Sequence, residues 1–206
     1  MSLRGSSDAE KRNIETMLNL IFFGPPGVGK GTQAARVAKF YNLIHVSTGE
    51  ILREEIRLQT DLGMKVKDVM ARGELVSDDL LIELLENTCA KHKGARGFVF
   101  DGFPRTLRQA EALDEMMKRQ NCKVAKVIAL DVPEEELLRR LVNRAIEQGR
   151  TDDTVEVIKN RLIIYQNYTK PLIDFYKKQG IFVGVPGVGT IEDVFSSLCT
   201  VIDNRY

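Results

Sequence analysis

Gly24-Pro25-Pro26-Gly27-Val28-Gly29-Lys30-Gly31-Thr32 is the stretch whose residue types are best suited to chemistry. Glycines let a backbone approach an anion closely, because no Cβ stands in the way. Successive N–H groups in such a turn point inward as an anion-binding nest. The apolar run Asn19-Leu20-Ile21-Phe22-Phe23 precedes it and reads as a buried strand, and a helical pattern follows through Phe40. Strand, glycine turn, lysine and helix N-terminus together make a phosphate-binding P-loop, G-x-x-x-x-G-K on Gly24, Gly29 and Lys30. The general motif has Ser or Thr directly after the lysine. Here that position is Gly31, so the hydroxyl that would meet a magnesium ion comes one place later, at Thr32.

A second candidate is Asp101, at the end of the apolar run Gly97-Phe98-Val99-Phe100. A carboxylate at a strand end is where a magnesium-associated acid sits in a P-loop protein. Gly102-Phe103-Pro104-Arg105 follows and would bring a guanidinium beside the phosphate turn. Arg140 and Arg144 are four apart, hence on one helix face, which suits either a phosphate site or a solvated surface. His45 and His92 are the only histidines. A phosphate acceptor needs no base, since its second pKa is about 6.

These residues need elements to carry them. Short, continuously apolar strands are expected at Leu43–Val46, Gly97–Asp101, Val124–Val132 and Ile181–Val183, besides the first at Asn19–Phe23, with helical patterns between them. That alternation predicts an α/β fold with a five-stranded parallel sheet covered on both faces, a three-layer P-loop architecture. Ligands then bind at the carboxyl ends of the strands, so Gly24, Ser47, Asp101 and the loop after Val132 or Val183 should gather at one edge. Ser47 or Thr48 should cap the next helix, Thr106 another, and Asp153 with Glu156 has capping-box spacing. One long helix is expected from about Thr154 to Lys178, bent at Pro171. Gly184-Val185-Pro186-Gly187-Val188-Gly189-Thr190 echoes the phosphate turn without its lysine and reads as a strand-to-helix turn.

The 206 residues suffice for one sizeable core. Thirty basic and 29 acidic residues give a net charge of +1, which excludes the strong basic bias of a nucleic-acid binder. Cys89, Cys122 and Cys199 are few, odd in number and far apart, as in reduced thiols of a cytoplasmic protein, and no C-x-x-C suggests zinc. No apolar run approaches the length of a membrane span. Residues 1–16 are polar and expected to be a flexible extension.

GPPGVGKGT, STGEILR and DGFPRT, in this order and spacing, with GRTDD and NRL downstream, resemble the adenylate kinases from Leu18 to the C-terminus. DGFPRT is specific to nucleoside monophosphate kinases. The resemblance implies transfer of a phosphoryl group from MgATP to AMP, giving two ADP. It implies that Gly27, Val28, Gly29, Lys30, Gly31 and Thr32 hold the ATP phosphates, with Arg140, Arg144 and the backbone near Gly189 also serving ATP. It puts Thr48, Arg53, Glu74, Leu75, Val76, Gly102, Phe103, Pro104, Arg105 and Gln109 on AMP, Gln109 at the adenine. Arg150 and Arg161 clamp the transferring group, and Lys30, Arg105, Arg144, Arg150 and Arg161 form the catalytic set. Asp152 and Asp153 help close a lid; Thr32 and Asp101 serve Mg2+, directly or through water. One domain at 17–206 is implied, with core segments 17–46, 77–144 and 156–206, a helical AMP-binding insertion at 47–76 and a short lid at 145–155 without zinc. The family expectation is a monomer. UMP/CMP kinases of the same fold are the alternative; they typically carry Ala at the Thr48 position and Asn at the Thr106 position, so Thr48, Thr106 and Gln109 favour AMP. A nucleotide switch without transfer activity would lack Lys30, Arg105, Arg150 or Arg161, and all four are present.

Overall fold

The structure, a computed structural model, describes residues 17–147 and 154–204, without the side chains of 138 and 142–147. The expected extension at 1–16, and with it Arg150, Asp152, Asp153 and most of the 145–155 lid, lies outside the described residues, as does the side chain of Arg144.

Five strands are described: β1 (Asn19–Phe23), β2 (Ile44–Ser47), β3 (Phe98–Asp101), β4 (Val124–Asp131) and β5 (Phe182–Pro186). They form one parallel sheet in the order β2-β3-β1-β4-β5. Among the described residues the helices are α1 (Lys30–Tyr41), α2 (Thr48–Arg57), α3 (Asp61–Ala71), α4 (Asp78–Lys91), α5 (Leu107–Arg119), α6 (Glu134–Glu147), α7 (Val155–Ile164), α8 (Leu172–Lys178) and α9 (Ile191–Asp203).

Alternation along β1 shows why the strands are mostly apolar on both faces. Leu20 and Phe22 enter one core with Val37 of α1 and Leu198 of α9; Ile21 and Phe23 enter the other with Leu113 of α5 and Tyr176 of α8. Both faces are covered, and burying each such side chain contributes about 1.5–3 kcal/mol. Register then fixes the working edge: Phe22 and Ser47 are both level with Asp101, so three strands end together.

Between β2 and α4 the chain makes a two-helix excursion, α2 and α3. Gly63 allows their close packing, since a Cβ there would lie 2.1 Å from the Glu55 carbonyl oxygen.

The expected long helix is broken. α7 runs into a five-residue π-helical turn, Tyr165–Thr169, and α8 begins only after Pro171. Pro171 has no N–H to give, as the sequence suggested; the widened turn before it leaves no mark in helical periodicity. Three caps also need comment. Thr106 accepts from the Gln109 N–H, as expected. Thr154 caps α7 by accepting from the Val157 N–H. Ser47 occupies the cap position of α2, but its hydroxyl donates to the Asp101 carboxylate, 3.4 Å away.

The cysteines are unpaired. Burial, and secondarily the nearby Cys122 and Glu86, push the Cys89 thiol up to about 12. At pH 8 roughly one Cys89 in ten thousand is therefore thiolate. A thiol reagent followed by peptide mass analysis should label the partly exposed Cys122 and Cys199 first and Cys89 only on unfolding; labelling of all three at one rate would contradict this burial.

Candidate active site

The residues after β1 form a tight turn, and α1 starts on it with Gly29 at the cap position in a left-handed conformation. Gly27 also has positive φ, at +84°, and a Cβ there would lie 2.6 Å from the Leu141 side chain. So α6 packs directly onto the turn. Arg140 strengthens that contact: its guanidinium donates to the Val28 carbonyl at 3.2 Å and to Glu136 at 2.7 Å. The Lys30 ammonium folds back across the turn and donates to the carbonyls of Gly24 and Pro25, at 2.7 and 2.9 Å.

The turn forms one wall of a cleft of about 800 Å³. Such a volume is at the upper end for a single small-molecule site. Residues 27–32, Thr48, Arg53, residues 74–76, Asp101, residues 102–105, Arg140, Arg161 and Gly189 all line it. The guanidiniums of Arg105 and Arg161 thus share one crevice with the Lys30 ammonium.

Electrostatics mark the same place. Asp101 is almost wholly buried. Burial pushes its carboxyl up, but His45, Lys30 and Arg105 together hold it below the usual carboxylate range. His45 Nε2 is 3.7 Å from the carboxylate, beyond hydrogen-bond length. Arg105 is held below its ordinary value by burial first, then by repulsion from Arg161 and Arg53, against the pull of Asp101. An arginine remains charged under such a shift. Arg105 is thus repelled by two other guanidiniums that line the same cleft, an arrangement that suits a polyanion.

The wall around Arg105 is cross-linked by hydrogen bonds. Its Nε donates to the Gly102 carbonyl at 2.8 Å, and Thr48 donates to that same oxygen at 3.0 Å. Its own N–H donates to Gln109 Oε1 at 2.7 Å, and its carbonyl accepts from Thr169 at 3.1 Å. The π-helical turn is what delivers Thr169.

Among the described residues, Gln109 is the expected site residue that does not line the cleft. It is fully buried, with its amide between Arg105 and Asp78. Each end of that amide is engaged once, which leaves one N–H and one lone pair. Conversely, Asp78, Glu136, Arg139 and Thr169 were not read from the sequence as site residues. Arg139 is visible as a neighbour of Arg140, but Asp78 and Thr169 meet partners 28 to 64 residues away.

The donors also suit a hard cation. Asp101 is ionised, and one of its oxygens would lie 3.4 Å from a Cβ on Gly31, one residue before the exposed Thr32 hydroxyl. Among the described residues no group of three His, Cys, Asp or Glu could hold a metal by itself. Mg2+ typically binds through one or two carboxylates plus substrate phosphates, which these residues fit.

A model of the adenylate kinase family matches residues 22–181. The adenylate kinase of Bacteroides fragilis is 44% identical over 187 residues, covering 91% of this chain and 99% of that protein. That of Leptospira biflexa is 46% identical over 182 residues, covering 88% and 98%. That of Porphyromonas gingivalis is 43% identical over 187 residues, covering 91% and 96%.

Proposed function

The chain belongs to the adenylate kinase family, and from that premise we propose how its residues divide the work. The reaction is reversible transfer of the terminal phosphoryl group of ATP to AMP, giving two ADP. What carries the division of labour is the convergence of Lys30, Arg53, Arg105 and Arg161 on one cleft.

The ATP phosphates lie on the Gly27–Thr32 turn, where the α1 N-terminus and its backbone N–H groups face them. Lys30 exchanges its two carbonyl partners for the β and γ phosphates. Arg140 and Arg144 on α6, and the backbone at Gly189, hold the rest of ATP. Mg2+ arriving with ATP would offset phosphate charge, held by Thr32 and Asp101, directly or through water. The AMP phosphate meets Arg53 and Arg105 beside Thr48, and its adenine meets Glu74–Val76. A dianionic AMP oxygen then attacks the γ phosphorus as the bond to the β-bridging oxygen breaks. No protein base is needed. Arg105, Arg144, Arg150 and Arg161 stabilise the charge that spreads over the transferring group.

In this reading 47–76 is the AMP-binding insertion and 145–155, with Asp152 and Asp153, the cover that keeps water out. Gln109 supports the wall from behind. A monomer is proposed on the family resemblance alone. No helix among the described residues is long and apolar enough to cross a membrane. The unpaired thiols support a reducing compartment, the cytoplasm.

An Arg53→Ala variant tests the assignment. The KM for AMP should rise at least tenfold, with the KM for ATP changed less than twofold, because one charge-assisted phosphate contact contributes about 1.5–3 kcal/mol. A rise in the ATP value instead would place Arg53 on the wrong nucleotide. An acceptor panel at equal concentrations should rank AMP above UMP and CMP.

A further inference from the structure

Asp78 opens α4, two residues after the Glu74–Val76 segment, and does more there than begin a helix. One carboxylate oxygen accepts from Gln109 Nε2 at 2.7 Å, and the other accepts from the Thr106 hydroxyl at 3.0 Å. Gln109 in turn accepts the Arg105 N–H at 2.7 Å. The direction of this chain is fixed by chemistry. A carboxylate can only accept and a backbone N–H can only donate, so the Gln109 amide has one permitted orientation. Thr106 closes the loop, since it also caps α5 at the Gln109 N–H.

We infer that Asp78 is a positioning residue for the acceptor site, holding the Arg105 backbone in place through Gln109 and linking the base-facing segment 74–76 to the phosphate-facing arginine. The inference rests on the reading that this wall takes AMP. Asp78 itself does not line the cleft. Its neighbour Asp79 is in the same helical turn but is exposed and pairs with Arg108, so it has the same relation to the helix end without the relay.

Steady-state kinetics on the full chain test this. Asp78→Ala removes both acceptors and should raise the KM for AMP roughly tenfold and lower kcat, with the KM for ATP within twofold of the parent. Asp78→Asn should restore most of the loss, because its oxygen can accept from Gln109 while its amide donates to the second lone pair of Thr106. Asp79→Ala should change none of these values. In a Gln109→Leu background the further effect of Asp78→Ala should fall below twofold, since the relay is already cut. If Asp78→Ala does not fold, Asp78→Ser, which keeps a polar first turn but cannot reach both partners, serves in its place. Equal increases for AMP and ATP, full additivity with Gln109→Leu, or an Asp79→Ala variant as impaired would each overturn the inference. If Arg53→Ala raises the KM for AMP while Asp78→Ala does not, the relay fails alone; if neither does, the acceptor-site reading has failed.

Discussion

Replacing Lys30 by Met is expected to lower kcat by a factor of about 100–1,000 and to leave the fold intact. The size of the loss follows from what a preorganised cation or donor contributes when charge moves between phosphates in a closed cleft, about 3–4 kcal/mol. The survival of the fold follows from where the ammonium rests. It donates hydrogen bonds to the carbonyls of Gly24 and Pro25, on a turn that faces an open cleft. Water can take over those carbonyls in the variant, and Asp101 keeps Arg105 as a cationic neighbour after losing Lys30, so the cost to stability should stay at about 1–3 kcal/mol. A coupled assay of ADP formation, paired with a thermal melt followed by circular dichroism, checks both halves. A well-folded variant with near-parental turnover would remove Lys30 from the mechanism.

Arg105→Lys should be nearly as damaging, although the charge is retained. Arg105 holds Gly102 through Nε, leaving its terminal nitrogens for the cleft. A lysine has one nitrogen and cannot both anchor itself and present a planar pair of donors to a phosphate. It would also lose its proton more readily, since burial and repulsion from Arg161 and Arg53 already disfavour a cation there. A fall of about a hundredfold in kcat/KM for AMP is expected, with ATP binding to the variant nearly unchanged when followed by calorimetry with a nonhydrolysable donor. Raising the pH should deepen the defect in Arg105→Lys and not in the parent. A lysine variant with parental activity would mean that charge alone suffices at this position.

The sheet was legible in the sequence because its strands are short, mostly apolar and bounded by glycine, as β1 before Gly24 and β3 after Gly97 illustrate. The cleft was legible because strand ends in a parallel sheet share one edge, and Gly24, Ser47 and Asp101 do so. What could not be read was side-chain partnership across long separations. Ser47 suits a helix cap by type, yet its hydroxyl turns to Asp101, 54 residues away. Gln109 suits a base contact by resemblance, yet its amide is held by Asp78 and Arg105. The widened turn at Tyr165–Thr169 was hidden for a related reason. Helical periodicity over α7 and α8 hardly registers one extra residue; the contact between Thr169 and Arg105 does.

That extra residue makes chain length itself a constraint. Excising one position between Tyr165 and Thr169 would return the segment to ordinary helical winding and remove the local widening that carries Thr169 to Arg105. Thr169 would swing off the Arg105 carbonyl, and the linkage to α8 would have to reseat. The region can therefore exchange one amino acid for another far more readily than it can gain or lose one. Natural variation here should appear as substitutions at constant spacing, with insertions and deletions shed to the loops outside it.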